Sequence, residues 1–210
     1  MIKAVLFDLD GTLINTNELI CKSFDHTFRE GLNLEVSKNE ITSMFGQPLQ
    51  ESFKKYTNEE NIENLISMYR TYNEELHDDM CDAFDEVDDL LKELKRKGIK
   101  IGIVTSKREI LAIRGMEISK IINYMDVIVT PEYTKKHKPE GEPALYACEK
   151  LNVKPEDTIM VGDSHFDLLC GKNAGCKTCG VKYTALDIKR LEKVKPNYFI
   201  DSPIELLKYI

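Results

Sequence analysis

Four short, almost unbroken apolar runs recur along the chain: Ala4 to Leu9, Lys100-Ile101-Gly102-Ile103-Val104-Thr105, Asp126-Val127-Ile128-Val129-Thr130 and Thr158-Ile159-Met160-Val161-Gly162. A strand that is apolar at consecutive rather than alternate positions is buried on both faces, as strands of a parallel sheet are. Helical patterns lie between the runs. Val87, Leu90, Leu91 and Leu94 recur at helical spacing, and Gly98 follows as a stop. Glu142 to Leu151 predicts a second helix, with Pro143 acceptable in its first turn, and Ser164 to Asn173 predicts a third. Strands alternating with helices imply right-handed crossovers. The expected fold class is α/β: an open, parallel, Rossmann-like sheet with helices on both faces.

Residues 15–80 break that rhythm. Leu19, Ile20, Phe24 and Phe28 mark one amphipathic helix, and Ile62, Leu65, Ile66 and Tyr69 mark another. The expectation is an inserted all-helical cap over residues 15–80, with residues 1–14 and 81–210 forming the core domain. Phe45-Gly46-Gln47-Pro48-Leu49 reads as a turn between cap helices, and Gln47 is a candidate to point down at a substrate. Asn15 and Asn17, where the chain leaves the core, are hinge or substrate candidates.

At 210 residues the chain can bury a core without disulfides. Its formal net charge of -7 argues against a nucleic-acid partner, which needs a basic face. An anionic small substrate is not excluded, because a bound cation reverses the local field of a site. Cys176 and Cys179 are spaced C-x-x-C but have no second pair, so the six cysteines read as reduced thiols. The apolar stretch before Asp8 is too short for a secretion signal, and no run reaches membrane-spanning length. A cytoplasmic location with no membrane partner is expected, as a monomer or weak homodimer.

The candidate chemistry sits at the ends of the runs, where open parallel sheets bind their ligands. Asp8-Leu9-Asp10-Gly11-Thr12 places two acids at i, i+2 beside a glycine that permits a sharp exit. A plain Asp-Gly turn is the other reading of that segment. Gly162-Asp163-Ser164-His165-Phe166-Asp167 brings a third carboxylate to the same edge, though Asp163 can equally cap a helix. Acids converging in a cleft repel one another unless a cation neutralises them, and a hard cation with oxygen ligands, Mg2+, fits best. Thr105-Ser106-Lys107 offers a hydroxyl and backbone amides for a phosphoryl oxygen. Lys138, before Pro139, offers a fixed positive charge.

In this order, from strand end to strand end, the chain resembles the haloacid dehalogenase superfamily of phosphotransferases. The four motifs of that family correspond to Asp8–Thr12, Thr105, Lys138 and Gly162–Asp167. Gly141 stands where many relatives have proline. The resemblance implies that Asp8 attacks phosphorus to form an aspartyl-phosphate. It implies that Asp10 works as general acid and then base. Mg2+ would be held by Asp8, Asp163 and the backbone carbonyl of Asp10. Thr105 and Lys138 would stabilise the transferring group, and Asp167 would orient Lys138 or a metal-bound water, with Ser106 in support. His165 and His137 read as supporting or surface residues. The nearest likeness is to the phosphoglycolate-phosphatase and pyrophosphatase group, so the implied substrate is a small phosphate ester or pyrophosphate. A phosphomutase resembling β-phosphoglucomutase shares every core motif. It needs a second phosphate clamp, and residues 30–69 contain no Arg. A dehalogenase leaves Asp10 and Asp163 unexplained, and a binding module that has kept the fold is the remaining alternative.

Overall fold

The computed structural model describes residues 1–58 and 60–210 in full. The chain opens with β1 (Ala4–Phe7), all four residues of which are buried. A short strand, β2 (Ile14–Asn15), leads into a helical block: α1 (Asn17–Leu32), α2 (Lys38–Thr42), α3 (Leu49–Phe53) and α4 (Glu59–Leu76). The chain returns through β3 (Asp82–Ala83), which pairs antiparallel with β2, Ile14 opposite Ala83 and Asn15 opposite Asp82. From there α5 (Val87–Arg96), β4 (Lys100–Val104), α6 (Glu109–Ile118), β5 (Val127–Val129), α7 (Glu142–Leu151), β6 (Thr158–Gly162), α8 (His165–Ala174), β7 (Lys177–Val181), α9 (Ile188–Val194) and β8 (Tyr198–Ile200) follow.

Six strands form one parallel sheet in the order β5-β4-β1-β6-β7-β8. Because side chains alternate across a strand, β1 serves two cores at once. Val5 and Phe7 join a cluster with α5 and α6 on one face; Ala4 and Leu6 join α7 and α8 on the other. The two-faced burial inferred from the apolar runs is thus met by helices on both sides. Cys176 and Cys179 fall into clusters on opposite faces, and all six cysteines are free. That separation agrees with reading them as thiols and not as a C-x-x-C pair.

The helical block has its own core. Phe24, Phe28, Phe53 and Tyr69 interlock, with Phe24–Tyr69 ring centroids 4.8 Å apart. One contributor comes from outside the block: Leu186, in the loop between β7 and α9, is buried in the same cluster. Nearby, the Arg190 guanidinium of α9 donates to the Ser43 carbonyl at 2.9 Å. Across the cleft Arg108 pairs with Glu74 of α4, and Arg114 pairs with Asp78 at 2.6 Å. No helix among the described residues is long and apolar enough to cross a membrane.

Candidate active site

The sheet reverses direction of winding at β1, flanked by β4 and β6, and the carboxyl ends of these three strands open beneath the helical block. Ligands of open α/β sheets sit at such a switch point. A cavity of about 520 Å³ fills the space. Asp8, Asp10, Thr105, Ser106, Lys107, Lys138, Asp163 and Asp167 line it from the sheet, and Gln47, Ile66 and Arg70 from the block.

Asp8 leaves β1 buried, and Lys138 reaches it from the loop before α7. The Lys138 ammonium donates to Asp8 Oδ1 at 2.6 Å, to Asp167 Oδ1 at 2.5 Å and to the Val104 carbonyl at 3.2 Å. Burial opposes the charge on Lys138, but Asp167 and Asp8 outweigh it and hold its pKa well above the ordinary lysine value. Asp167 is fully engaged: its other oxygen accepts from the Ser164 amide at 3.0 Å and the Ser164 hydroxyl at 2.6 Å, closing a capping box at the start of α8. This acid therefore steers the lysine.

Asp8, Asp163 and Asp167 offer carboxylate oxygens that all lie within 4.8 Å of one another. Three buried carboxylates share one ammonium, so two negative charges are left over when all are ionised. That crowding raises the proton affinity of the acids. Burial, with Asp167 adding to it, pushes Asp8 up to about 7 against the pull of Lys138. Burial together with Asp167 and Asp8 raises Asp163 well above the carboxylate range. Asp163 accepts one hydrogen bond, from the Thr184 hydroxyl at 3.1 Å, and no lysine or arginine pairs with it among the described residues. A hard divalent cation fits this donor set, with Asp8 and Asp163 free to face it. Close approach is possible because Gly162 and Gly11 have no side chain: a Cβ on Gly162 would lie 2.2 Å from Asp167 Cβ, and one on Gly11 2.5 Å from Asp163 Oδ2.

Asp10 points elsewhere. Its Oδ1 accepts from Lys107 Nζ and Thr16 Oγ1, each at 2.8 Å. Burial opposes ionisation, but these partners prevail and hold Asp10 below the usual carboxylate range. The Asp10 carboxylate is thus outside the acid cluster, which leaves only its backbone carbonyl for a metal. Thr105 is buried and its hydroxyl accepts from the Lys107 amide at 3.1 Å, tightening the turn after β4.

The other expected residues divide. Gln47 lines the cavity, though its amide donates to the Ser43 carbonyl at 3.0 Å. Asn15 does not line it. It is exposed on β2, paired with Asp82, because a strand turns alternate side chains outward. Asn17 lines the cavity, and its Oδ1 is buried without a partner. His165 packs against Phe166 with the rings tilted and faces a smaller cleft with Arg190, while His137 is an exposed residue at the cavity rim. Thr16, Thr184 and Arg70 were not singled out by sequence. Arg70 stands one residue beyond the Arg-free span 30–69, on the turn of helix that follows Ile66 and Tyr69.

The model of the haloacid dehalogenase-like hydrolases matches residues 5–181. A Clostridium perfringens protein carrying the PpaX name is 58% identical over 210 residues, covering 100% of this chain and 98% of its own. Pyrophosphatase PpaX of Bacillus mycoides is 41% identical over 206 residues, covering 98% and 95%. Among solved structures, a haloacid dehalogenase-like family hydrolase from Streptococcus pneumoniae superposes with a TM-score of 0.90 at 26% identity, covering 99% of this chain and 98% of that one. With its sheet order, its edge of converging acids and these likenesses, the chain belongs to the haloacid dehalogenase-like hydrolases.

Proposed function

We propose that the protein hydrolyses pyrophosphate, with Asp8 as nucleophile and Mg2+ as cofactor. The observation that carries the phosphohydrolase reading is the buried Asp8 carboxylate, oriented by Lys138 and faced by Asp163, at the floor of a cavity roofed by the helical block. An Asp8 oxygen attacks one phosphorus, and the bond from that phosphorus to the bridging oxygen breaks. Inorganic phosphate departs, and water then hydrolyses the aspartyl-phosphate to restore Asp8. Lys138 and Thr105 stabilise charge on the transferring group, and the helical block acts as a cap that excludes bulk water. Asp8, Asp163 and the Asp10 carbonyl would hold Mg2+, which would supply neutralisation of the phosphate charge.

Asp10 favours pyrophosphate over an alkyl ester. Held ionised by Lys107 and Thr16, it carries no proton to give a leaving group. A departing hydrogen phosphate dianion is a far weaker base than an alkoxide and needs little protonation. An alkoxide, comparable to water at about 15.7, needs a full proton. The PpaX relatives point the same way. A cytoplasmic site of action fits this substrate.

The test is phosphate release from pyrophosphate and a panel of small phosphate esters, with and without Mg2+. Magnesium-dependent release fastest from pyrophosphate is expected; esters cleaved in preference to it would overturn the proposal. A phosphomutase is the second reading, because Arg70 supplies the cavity with the Arg that residues 30–69 lack. Phosphate accumulating without a bisphosphate activator excludes it.

A further inference from the structure

We infer that Arg70 binds the leaving phosphate and so sets a preference for substrates whose leaving group is an anion; this rests on the pyrophosphate reading. Four Lys or Arg side chains line the cavity. Three are already committed: Lys138 to Asp8 and Asp167, Lys107 to Asp10, Arg108 to Glu74. Arg70 makes no ion pair or side-chain hydrogen bond among the described residues. Its natural helical partner is Glu74, one turn on at i+4. Arg108, reaching over from the core, takes that acid instead. Glu63, the acid of α4 that does line the cavity, is seven residues away, about 10 Å along the helix. Arg70 is therefore an unneutralised guanidinium on the roof of a cavity whose floor holds the nucleophile.

Charge balance assigns it a task. Pyrophosphate brings two phosphoryl groups. The one under attack is met by Lys138, Thr105 and the cation site. The departing one projects away from Asp8 toward the block, where no other uncommitted Lys or Arg lines the cavity among the described residues. A guanidinium presents paired donors that match phosphate oxygens, and such charge-assisted hydrogen bonds are the strong kind. A substrate with an uncharged leaving group has nothing there for Arg70 to hold.

The experiment compares wild type, Arg70→Gln and Arg70→Lys on pyrophosphate and on glycerol phosphate, with Mg2+ present. Arg70 is exposed, so the substitution leaves the fold intact, checked by thermal melting. In Arg70→Gln, kcat/KM for pyrophosphate is expected to fall about tenfold to hundredfold, chiefly through KM, with less than about threefold loss on glycerol phosphate. Arg70→Lys, which keeps the charge, should recover part of the loss. If wild type cleaves pyrophosphate and Arg70→Gln loses both activities equally, or neither, Arg70 is not the leaving-phosphate ligand. If wild type cleaves glycerol phosphate but not pyrophosphate, the pyrophosphate reading falls and the assignment of Arg70 with it.

Discussion

Asp8 is a buried carboxylate whose charge costs the fold something, since burial pushes its pKa up to about 7. An amide of the same shape is therefore well tolerated there, but it cannot attack phosphorus. Asp8→Asn should retain its melting temperature and lose turnover by roughly 10⁴-fold or more; a variant that still releases phosphate at a tenth of the wild-type rate would remove Asp8 from the chemistry. Thr184 is felt one bond further out. It holds Asp163 from a loop 21 residues away in sequence, and hydrogen bonds to metal ligands are worth about 10–100-fold in affinity. Thr184→Val should raise the Mg2+ concentration for half-maximal activity about tenfold, read from a metal titration at saturating substrate. Asp8 and Asp163 were legible because each stands at the end of an apolar run, and Lys138 because it stands before Pro139 in the loop that follows the run ending at Thr130. Thr184 was not, because only the tertiary path from β7 to α9 brings it to the edge.

At the scale of elements, β1, β4, β5 and β6 announced themselves by unbroken apolar residues, and α7 lies where its pattern placed it, at Glu142–Leu151. β7 did not: Lys177-Thr178-Cys179-Gly180-Val181 mixes polar and small residues, and its burial comes from neighbours the sequence does not show. β8, three residues at the sheet edge, carries too short a pattern to stand out. The end of α4 was equally silent, since His77 reads as one more polar residue. In the structure it is buried, with Nε2 3.4 Å from the Cys81 sulfur and Nδ1 3.3 Å from Asp78 Oδ1. Burial, aided by Lys107, lowers its pKa from the ordinary value of 6.5. A histidine depressed in the fold stabilises it above the unfolded pKa and withdraws that stability as pH falls below it. Urea midpoints of wild type and His77→Asn should therefore differ most at pH 7–8 and converge toward pH 5. A difference that stays constant over that range would show that His77 does not titrate against folding.

For the whole molecule, the block and the sheet are joined on both sides of the cleft. On one side are the Arg108–Glu74 and Arg114–Asp78 pairs, exposed and individually weak. On the other, Leu186 is a core-domain side chain buried in the core of the block. Leu186→Ala should cost about 2–3 kcal/mol in unfolding free energy and loosen the roof. Limited proteolysis would then cut faster near residues 14–17 and 77–83. Unchanged cleavage would mean that Leu186 does not tether the block. The two-stranded ribbon of β2 and β3 carries a different consequence. The chain departs at Ile14 and returns at Ala83, facing positions of one antiparallel pair. Such positions are separated by roughly 5 Å, a gap that a two-residue turn closes. The sheet, with Asp8 and Lys138, thus ends upstream of one ribbon and resumes downstream of it, and the chain of the floor is interrupted at a single point. The roof is an interchangeable part. Lineages that inherit this floor are free to lengthen it, shrink it or exchange it, and to recruit new metabolites without disturbing the residues that cleave them.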